Sequence, residues 1–89
     1  MISLKRIVLD ILKPHHPDAL EFARSIAACG DDYHVLLTVI EMDEKTETLQ
    51  VVVEGDDVDM DQVREAITRL GGSLHSIDVV EVQSAPDGE

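Results

Sequence analysis

Five carboxylates stand within the eight residues Glu54-Gly55-Asp56-Asp57-Val58-Asp59-Met60-Asp61, and a hard divalent cation such as Ca2+ or Mg2+ takes its ligands from oxygens this closely spaced. Asp57, Asp59 and Asp61 have the alternation that opens an EF-hand calcium loop. The sixth place of that loop is here Gln62 and the twelfth is Thr68, where the geometry needs glycine for the turn and glutamate for bidentate ligation. An EF-hand is excluded on that ground. A helix entrance uses the same residues differently: Asp59 as N-cap with Gln62 three residues on makes a capping box, and Val58 with Val63 makes a hydrophobic staple. Capping accounts for Asp59 and partly for Asp61. It leaves Asp56 and Asp57 as candidate cation ligands.

Two further sets could do chemistry. Asp10 and Asp78 each lie in an apolar, strand-like run, where a pair of carboxylates binds a cation, accepts Arg6, forms a salt bridge across a subunit contact, or serves as acid and base. No nucleophile or oxyanion device accompanies them in the sequence, which weighs against catalysis. His15 and His16, flanked by Pro14 and Pro17, form with His75 a three-imidazole candidate for zinc, copper or nickel. The competing role for histidines in a proline-flanked loop is exposure or capping. Cys29 is the only cysteine, so an internal disulfide, a thiolate zinc site and a cluster held within one chain are excluded, and an intracellular location fits.

The elements that must position these residues follow from hydrophobic period and punctuation. Leu4 to Leu12 is rich in Ile, Val and Leu and is stopped by Pro14, which predicts a strand, β1. Pro17 suits a first helical position, Asp18 and Glu21 suit the positive end of the dipole, and Leu20, Ala23, Ile26 and Ala27 recur at helical spacing, predicting α1 up to Gly30. Tyr33 to Met42 and Thr48 to Glu54 read as two strands, β2 and β3, joined by the polar turn Asp43-Glu44-Lys45-Thr46. Val63, Ala66, Ile67 and Leu70 mark a second helix, α2, stopped by Gly71-Gly72, and Leu74 to Val82 reads as a last strand, β4. The order βαββαβ predicts an α+β, ferredoxin-like fold: a four-stranded antiparallel sheet with two helices on one face. Residues 1–83 form the single domain, and 84–89 are expected to be a loose tail.

A hairpin turning at Glu44-Lys45 pairs residues whose numbers sum to 89, which puts Leu36, Thr38, Ile40, Leu49, Val51 and Val53 under the helices. Val35, Leu37, Val39 and Val52 then join Val8, Leu12 and Val80 on the opposite face. An apolar face of that kind predicts packing on another subunit, there or at a sheet edge. The same register gathers Asp31, Asp32, Glu54, Asp56 and Asp57 at one end, where a bridging cation or a solvated acidic rim would relieve their repulsion. Strand alternation allows Asp10 and Asp78 on the open face, with Ile7, Leu9, Ile11, Ile77 and Val79 on the helix side.

Charge and composition narrow the function classes. Nineteen acidic residues against seven basic ones give a net charge of -12 over 89 residues, a field that repels nucleic acid and anionic membranes and attracts cations or basic partners. Phe22 and Tyr33 are the only aromatics, so a base-stacking platform for RNA is lacking. An acylphosphatase-like anion cradle would need free amides and glycine after β1, where Lys13-Pro14-His15-His16-Pro17 stands instead. A copper chaperone would need a cysteine pair. The amino terminus has interspersed charges and no small-residue cleavage site, and no run approaches a membrane span.

Arg6-Ile7-Val8-Leu9-Asp10-Ile11-Leu12-Lys13-Pro14-His15, then Glu54-Gly55 leading to Val58-Asp59-Met60-Asp61, then Gly71-Gly72-Ser73-Leu74-His75-Ser76-Ile77-Asp78, resemble the small archaeal family catalogued as domain of unknown function 211. The resemblance spans nearly the whole chain. It implies a ferredoxin-like fold, a cytoplasmic archaeal source and multimeric, ring-like assembly, with no established activity. The chain departs where similar proteins have a Gly-Val-x-Gly-Val-Asn run between α1 and β2; Gly30-Asp31-Asp32-Tyr33-His34-Val35 stands there. The expectation is thus a non-enzymatic, self-assembling acidic protein with divalent-cation sites drawn from Asp10, Asp78, Asp31, Asp32, Asp56 and Asp57. The competing class is an ACT-like regulatory module binding an amino acid or other small ligand between subunits, although the glycine usual at its β1–α1 turn is missing.

Overall fold

The computed structural model describes residues 1–86. Its elements are β1 (Ile2–Pro14), α1 (Ala19–Ala27), β2 (His34–Met42), β3 (Thr46–Glu54), α2 (Met60–Arg69) and β4 (Ser73–Ser84). The four strands form one antiparallel sheet in the order β2-β3-β1-β4, so the fold is the ferredoxin-like α+β arrangement. Alternation along the two central strands turns Ile7, Leu9 and Ile11 of β1 and Leu49, Val51 and Val53 of β3 to one face. There they meet Phe22 and Ile26 of α1 and Val63 and Ile67 of α2. All ten are fully buried, each adding roughly 1.5–3 kcal/mol relative to exposure.

The helix entrances are local. Asp18, not Pro17, is the boundary of α1: its carboxylate accepts from the Glu21 amide at 2.8 Å. Asp59 caps α2 by accepting from the Gln62 amide at 3.1 Å, and Val58 and Val63 both enter the core as the staple requires. The capping box is half formed, because the Asp59 amide donates to the Tyr33 hydroxyl at 2.6 Å.

The hairpin turns where expected, with Asp43 Oδ1 accepting from the amides of Lys45 and Thr46 and from Thr46 Oγ1. Its register holds the predicted sum only next to the turn, at Glu41↔Thr48 and Met42↔Glu47. Ile40 is an extra residue in β2, and beyond it the partners become Val39↔Leu49, Leu37↔Val51 and Val35↔Val53. A one-residue offset moves side chains to the other face. Val35 and Leu37 therefore pack against the core, whereas Leu36 and Thr38 lie opposite Val52 and Gln50. The assignment of Leu36 and Thr38 to the helix side, and of Val35, Leu37 and Val39 to the open face, is reversed, and Ile40 has no partner across the ladder.

Pairing of β1 with β4 has three irregularities, at Lys5, His75 and Asp78. The one at Asp78 places Val79 opposite Val8 and Val80 opposite Ile7, exchanging the faces expected for Val79 and Val80. Both strands run further than predicted: Ser84 pairs with Ile2, and the Ala85 amide donates to the Met1 carbonyl at 2.9 Å. The expected loose tail thus loses Ser84 to the sheet, with Ala85 tied to Met1 beside it, and positions 87–89 lie outside the described residues.

Candidate functional site

The open face of the sheet is built in rows, because each strand contributes every second residue. Leu36, Val52, Val8 and Val79 are successive partners across all four strands and form an apolar row. Thr38, Gln50, Asp10 and Ser76 form a polar row on one side of it. On the other side lie His34, Glu54, Arg6 and Glu81, with Glu54 between Arg6 Nε at 3.8 Å and His34 Nδ1 at 3.7 Å. The central Val8 and Val52 are buried by their neighbours, and the outer Leu36 and Val79 are 56% and 41% exposed. Ile77, Val80 and Val82 add exposed apolar surface to β4, an edge strand with nothing beyond it in the sheet.

Asp10 is therefore on the open face, as alternation allowed, but its partner there is Ser76. Asp78 is the extra residue of a bulge and accepts from Ser76 Oγ at 2.7 Å. Asp10 lines a depression of about 260 Å³ with Leu12, Thr48 and His75.

The acidic end is more committed than its composition suggests. Lys5 Nζ binds Asp56 through both its carboxylate, at 2.9 Å, and its carbonyl, at 2.8 Å. Asp57 Oδ1 accepts from the Leu4 amide at 3.3 Å, and Asp32 Oδ2 accepts from the Asp56 amide at 2.9 Å. Asp56 and Asp57, which capping left over, thus tie the β3–α2 connection to β1, and Asp32 ties the α1–β2 connection to it. Tyr33 completes this end: its ring fills the space that a Cβ at Gly30 or Gly55 would enter. Between Leu4 and the start of α2 a depression of about 440 Å³ is lined in part by Asp57, Asp59 and Asp61. Among the described residues no three of His, Cys, Asp and Glu converge as metal ligands.

The histidine set is not brought together. His75 faces the open-sheet depression, and His15 is bound elsewhere, in a cluster that the sequence reading missed. Lys13 is completely buried and Glu47 is 6% exposed. Lys13 Nζ donates to Glu47 Oε1 at 2.9 Å, to the Pro14 carbonyl at 3.0 Å and to the Pro17 carbonyl at 2.8 Å, using all three ammonium hydrogens. An ammonium so occupied serves as neither base nor nucleophile. His15 Nδ1 meets Glu47 Oε2 at 2.9 Å, and Nε2 meets the carbonyls of Asp43 and Glu44 at 3.0 and 3.1 Å. Chiefly through Glu47, and against burial, these contacts raise the His15 pKa above its ordinary value. His15 first and Lys13 second lower that of Glu47, and the Thr46 and Lys45 amides lower that of Asp43.

Cys29 is half-buried, with burial raising its thiol pKa against the opposing effect of Arg69. A thiol so shifted is a poor nucleophile.

The fold is a ferredoxin-like sheet with a patterned open face, a long apolar edge and every described buried polar side-chain atom hydrogen-bonded, and such a fold does not by itself fix a function. The chain belongs to the family domain of unknown function 211, described as uncharacterized ArCR, whose sequence profile matches residues 5–84. The uncharacterized protein MJ0319 of Methanocaldococcus jannaschii is 44% identical over 80 residues, covering 90% of this chain and 82% of that protein. Among the described residues no helix is long and apolar enough to cross a membrane.

Proposed function

We propose that this is a non-enzymatic, cytoplasmic protein that assembles with further copies of itself into a closed oligomer such as a ring, with Ca2+ or Mg2+ bound where acidic groups of neighbouring copies meet. The observation that carries this reading is the continuous apolar row Leu36, Val52, Val8 and Val79, which ends at the β4 edge with its exposed Ile77, Val80 and Val82. An unpaired strand edge with apolar side chains is a template for another strand, and soluble proteins otherwise blunt such edges with lysine or proline. Residues 73–84 contain neither, and although bulges at His75 and Asp78 interrupt the strand, the run from Val79 to Ser84 holds no extra residue.

A second copy is the occupant that charge permits. The face offers Arg6 and His34 beside Glu54 and Glu81, a mixed row that can meet itself across a two-fold axis. The molecule as a whole carries a net charge of -12, so bringing copies together costs like-charge repulsion that divalent cations offset. Cation binding therefore belongs with assembly in this reading. Asp10 and Asp78, on the open face and at its edge, and Asp31, Asp32, Asp56 and Asp57 at the acidic end are its candidate ligands, each set needing further oxygens from a neighbour.

Light scattering of the purified protein with Ca2+, with Mg2+ and with chelator tests both halves. The expected mass is a multiple of 9.8 kDa that falls on chelation, and falls to the monomer when Val79 and Val82 are replaced by lysine. A monomer under every condition would sink the reading. An amino acid that shifts mass and melting where cations do not would replace it with the ACT-like regulatory module.

A further inference from the structure

We propose that His15 is a protonation-controlled latch: as an imidazolium it fastens the tip of the β2–β3 hairpin to the β1–α1 connection through both ring nitrogens, and as a neutral ring it gives up one of those two attachments. The geometry carries this. Both ring nitrogens face groups that can only accept, the Glu47 carboxylate at Nδ1 and the Asp43 and Glu44 carbonyls at Nε2. An imidazolium donates from both nitrogens, whereas either neutral tautomer turns a lone pair on an acceptor. All three contacts are therefore satisfied only by the charged ring.

The groups around it confine the change to the latch. From β3 comes Glu47, whose other oxygen is held by Lys13 of β1. Lys13 keeps its bonds to the Pro14 and Pro17 carbonyls whichever form the ring takes, so the core side of the cluster survives loss of the His15 proton. From the turn come Asp43, Glu44 and Lys45. The Asp43 carboxylate is engaged by the Lys45 and Thr46 amides and Thr46 Oγ1, so the turn keeps its own shape. His16 and Asp18 are the other titratable groups of the loop. What the proton controls is how firmly an intact turn is held to an intact loop, through contacts 28 and 29 residues apart in sequence, while the Pro14↔Thr46 pairing joins β1 to β3 in either form. The turn begins just after the Ile40 bulge and the exposed Met42 of the β2 edge, so the latch sets where the end of that edge lies.

Nuclear magnetic resonance on the intact, isotope-labelled protein reads the latch directly. In mildly acidic buffer both His15 ring nitrogens are expected to carry protons. As the pH is raised, the carbonyl-carbon shifts of Asp43 and Glu44 should move with the ring at one shared midpoint, while those of Leu9 and Val51 stay fixed. In His15→Gln the movement at Asp43 and Glu44 should vanish with the fold retained. A His15 ring singly protonated in the acidic range, or turn carbonyls that ignore its titration, would overturn the proposal. Glu47→Gln gives an independent check, since it should move the shared midpoint downward.

Discussion

Replacing Glu47 by glutamine removes one charge and almost no volume from the buried polar cluster of the described residues. Lys13 is 0% exposed and its ammonium lies 2.9 Å from Glu47 Oε1, so the substitution leaves a positive charge in the interior with carbonyl dipoles as its only partners. Breaking a buried pair from one side costs about 3–5 kcal/mol, against a typical domain stability of about 5–15 kcal/mol. For a domain of this size each kcal/mol moves Tm by roughly 4–8 °C, so a drop of at least about 12 °C is expected. Urea and thermal unfolding by circular dichroism measure it, at one protein concentration because the proposed assembly would add a concentration-dependent contribution. Lys13→Met should also destabilise, by leaving Glu47 Oε1 and the Pro14 and Pro17 carbonyls without their donor while His15 still holds Glu47 Oε2. The double variant Lys13→Met, Glu47→Leu should lose less than the sum of its parts, by about 0.5–3 kcal/mol, because it leaves no buried charge uncompensated. A Glu47→Gln protein within about 1 kcal/mol of the parent, or two losses that simply add, would refute the claim that this pair is buried and coupled.

The pH dependence has a definite sign. The raised His15 pKa gives stability complete below the ordinary 6.5 and lost as pH climbs through the raised value, whereas the lowered Glu47 pKa gives stability present above 4.5 and lost as pH falls through the lowered one. Their joint contribution is thus whole between about 4.5 and 6.5, and urea midpoints of His15→Gln should lack the alkaline decline. Gly30→Ala should cost about 1–3 kcal/mol by overpacking, because a Cβ there overlaps the Tyr33 ring; an unchanged urea midpoint would count against that ring position. Asp59→Ala should cost about 1 kcal/mol as loss of an N-cap, read from the same unfolding curves. Deleting Ile40 should leave the fold standing, since it removes the unpaired residue, while deleting Leu36 should put Thr38 opposite Val51 and lower the melting temperature far more.

The order and type of every element were legible in the sequence because each rests on a local signal: a period, a cap, or a proline or glycine stop. Which way the side chains of β2 face was not. From Tyr33 to Ile40 both parities are apolar, with Val35, Leu37 and Val39 on one and Leu36 and Ile40 on the other. Alternation could not choose between them, and the turn, which sets register correctly at Met42↔Glu47, loses authority once the bulge intervenes. The same ambiguity in Val79-Val80 hid the offset at Asp78. An interior accepts either valine, so the decision falls to pairing across strands, which hydropathy does not record.

The buried charges carried a signal that residue type overrode. Ile7, Leu9, Ile11 and Lys13 share one parity of β1, and Glu47, Leu49, Val51 and Val53 share one parity of β3; β1 and β3 are central, and Lys13 and Glu47 are cross-strand partners. Extending the core-facing stripe by one step at each end therefore delivers an oppositely charged pair to the same spot on the helix side. Charged residues at strand ends are ordinarily solvated, whereas the denser carboxylates Asp56 and Asp57 bind Lys5 and the Leu4 amide. Density of charge marked where the backbone needs tying at the surface. A solitary lysine on the apolar parity of a central strand marked where a loop is fastened from inside, and His15, two residues further along, inherits its function from that position.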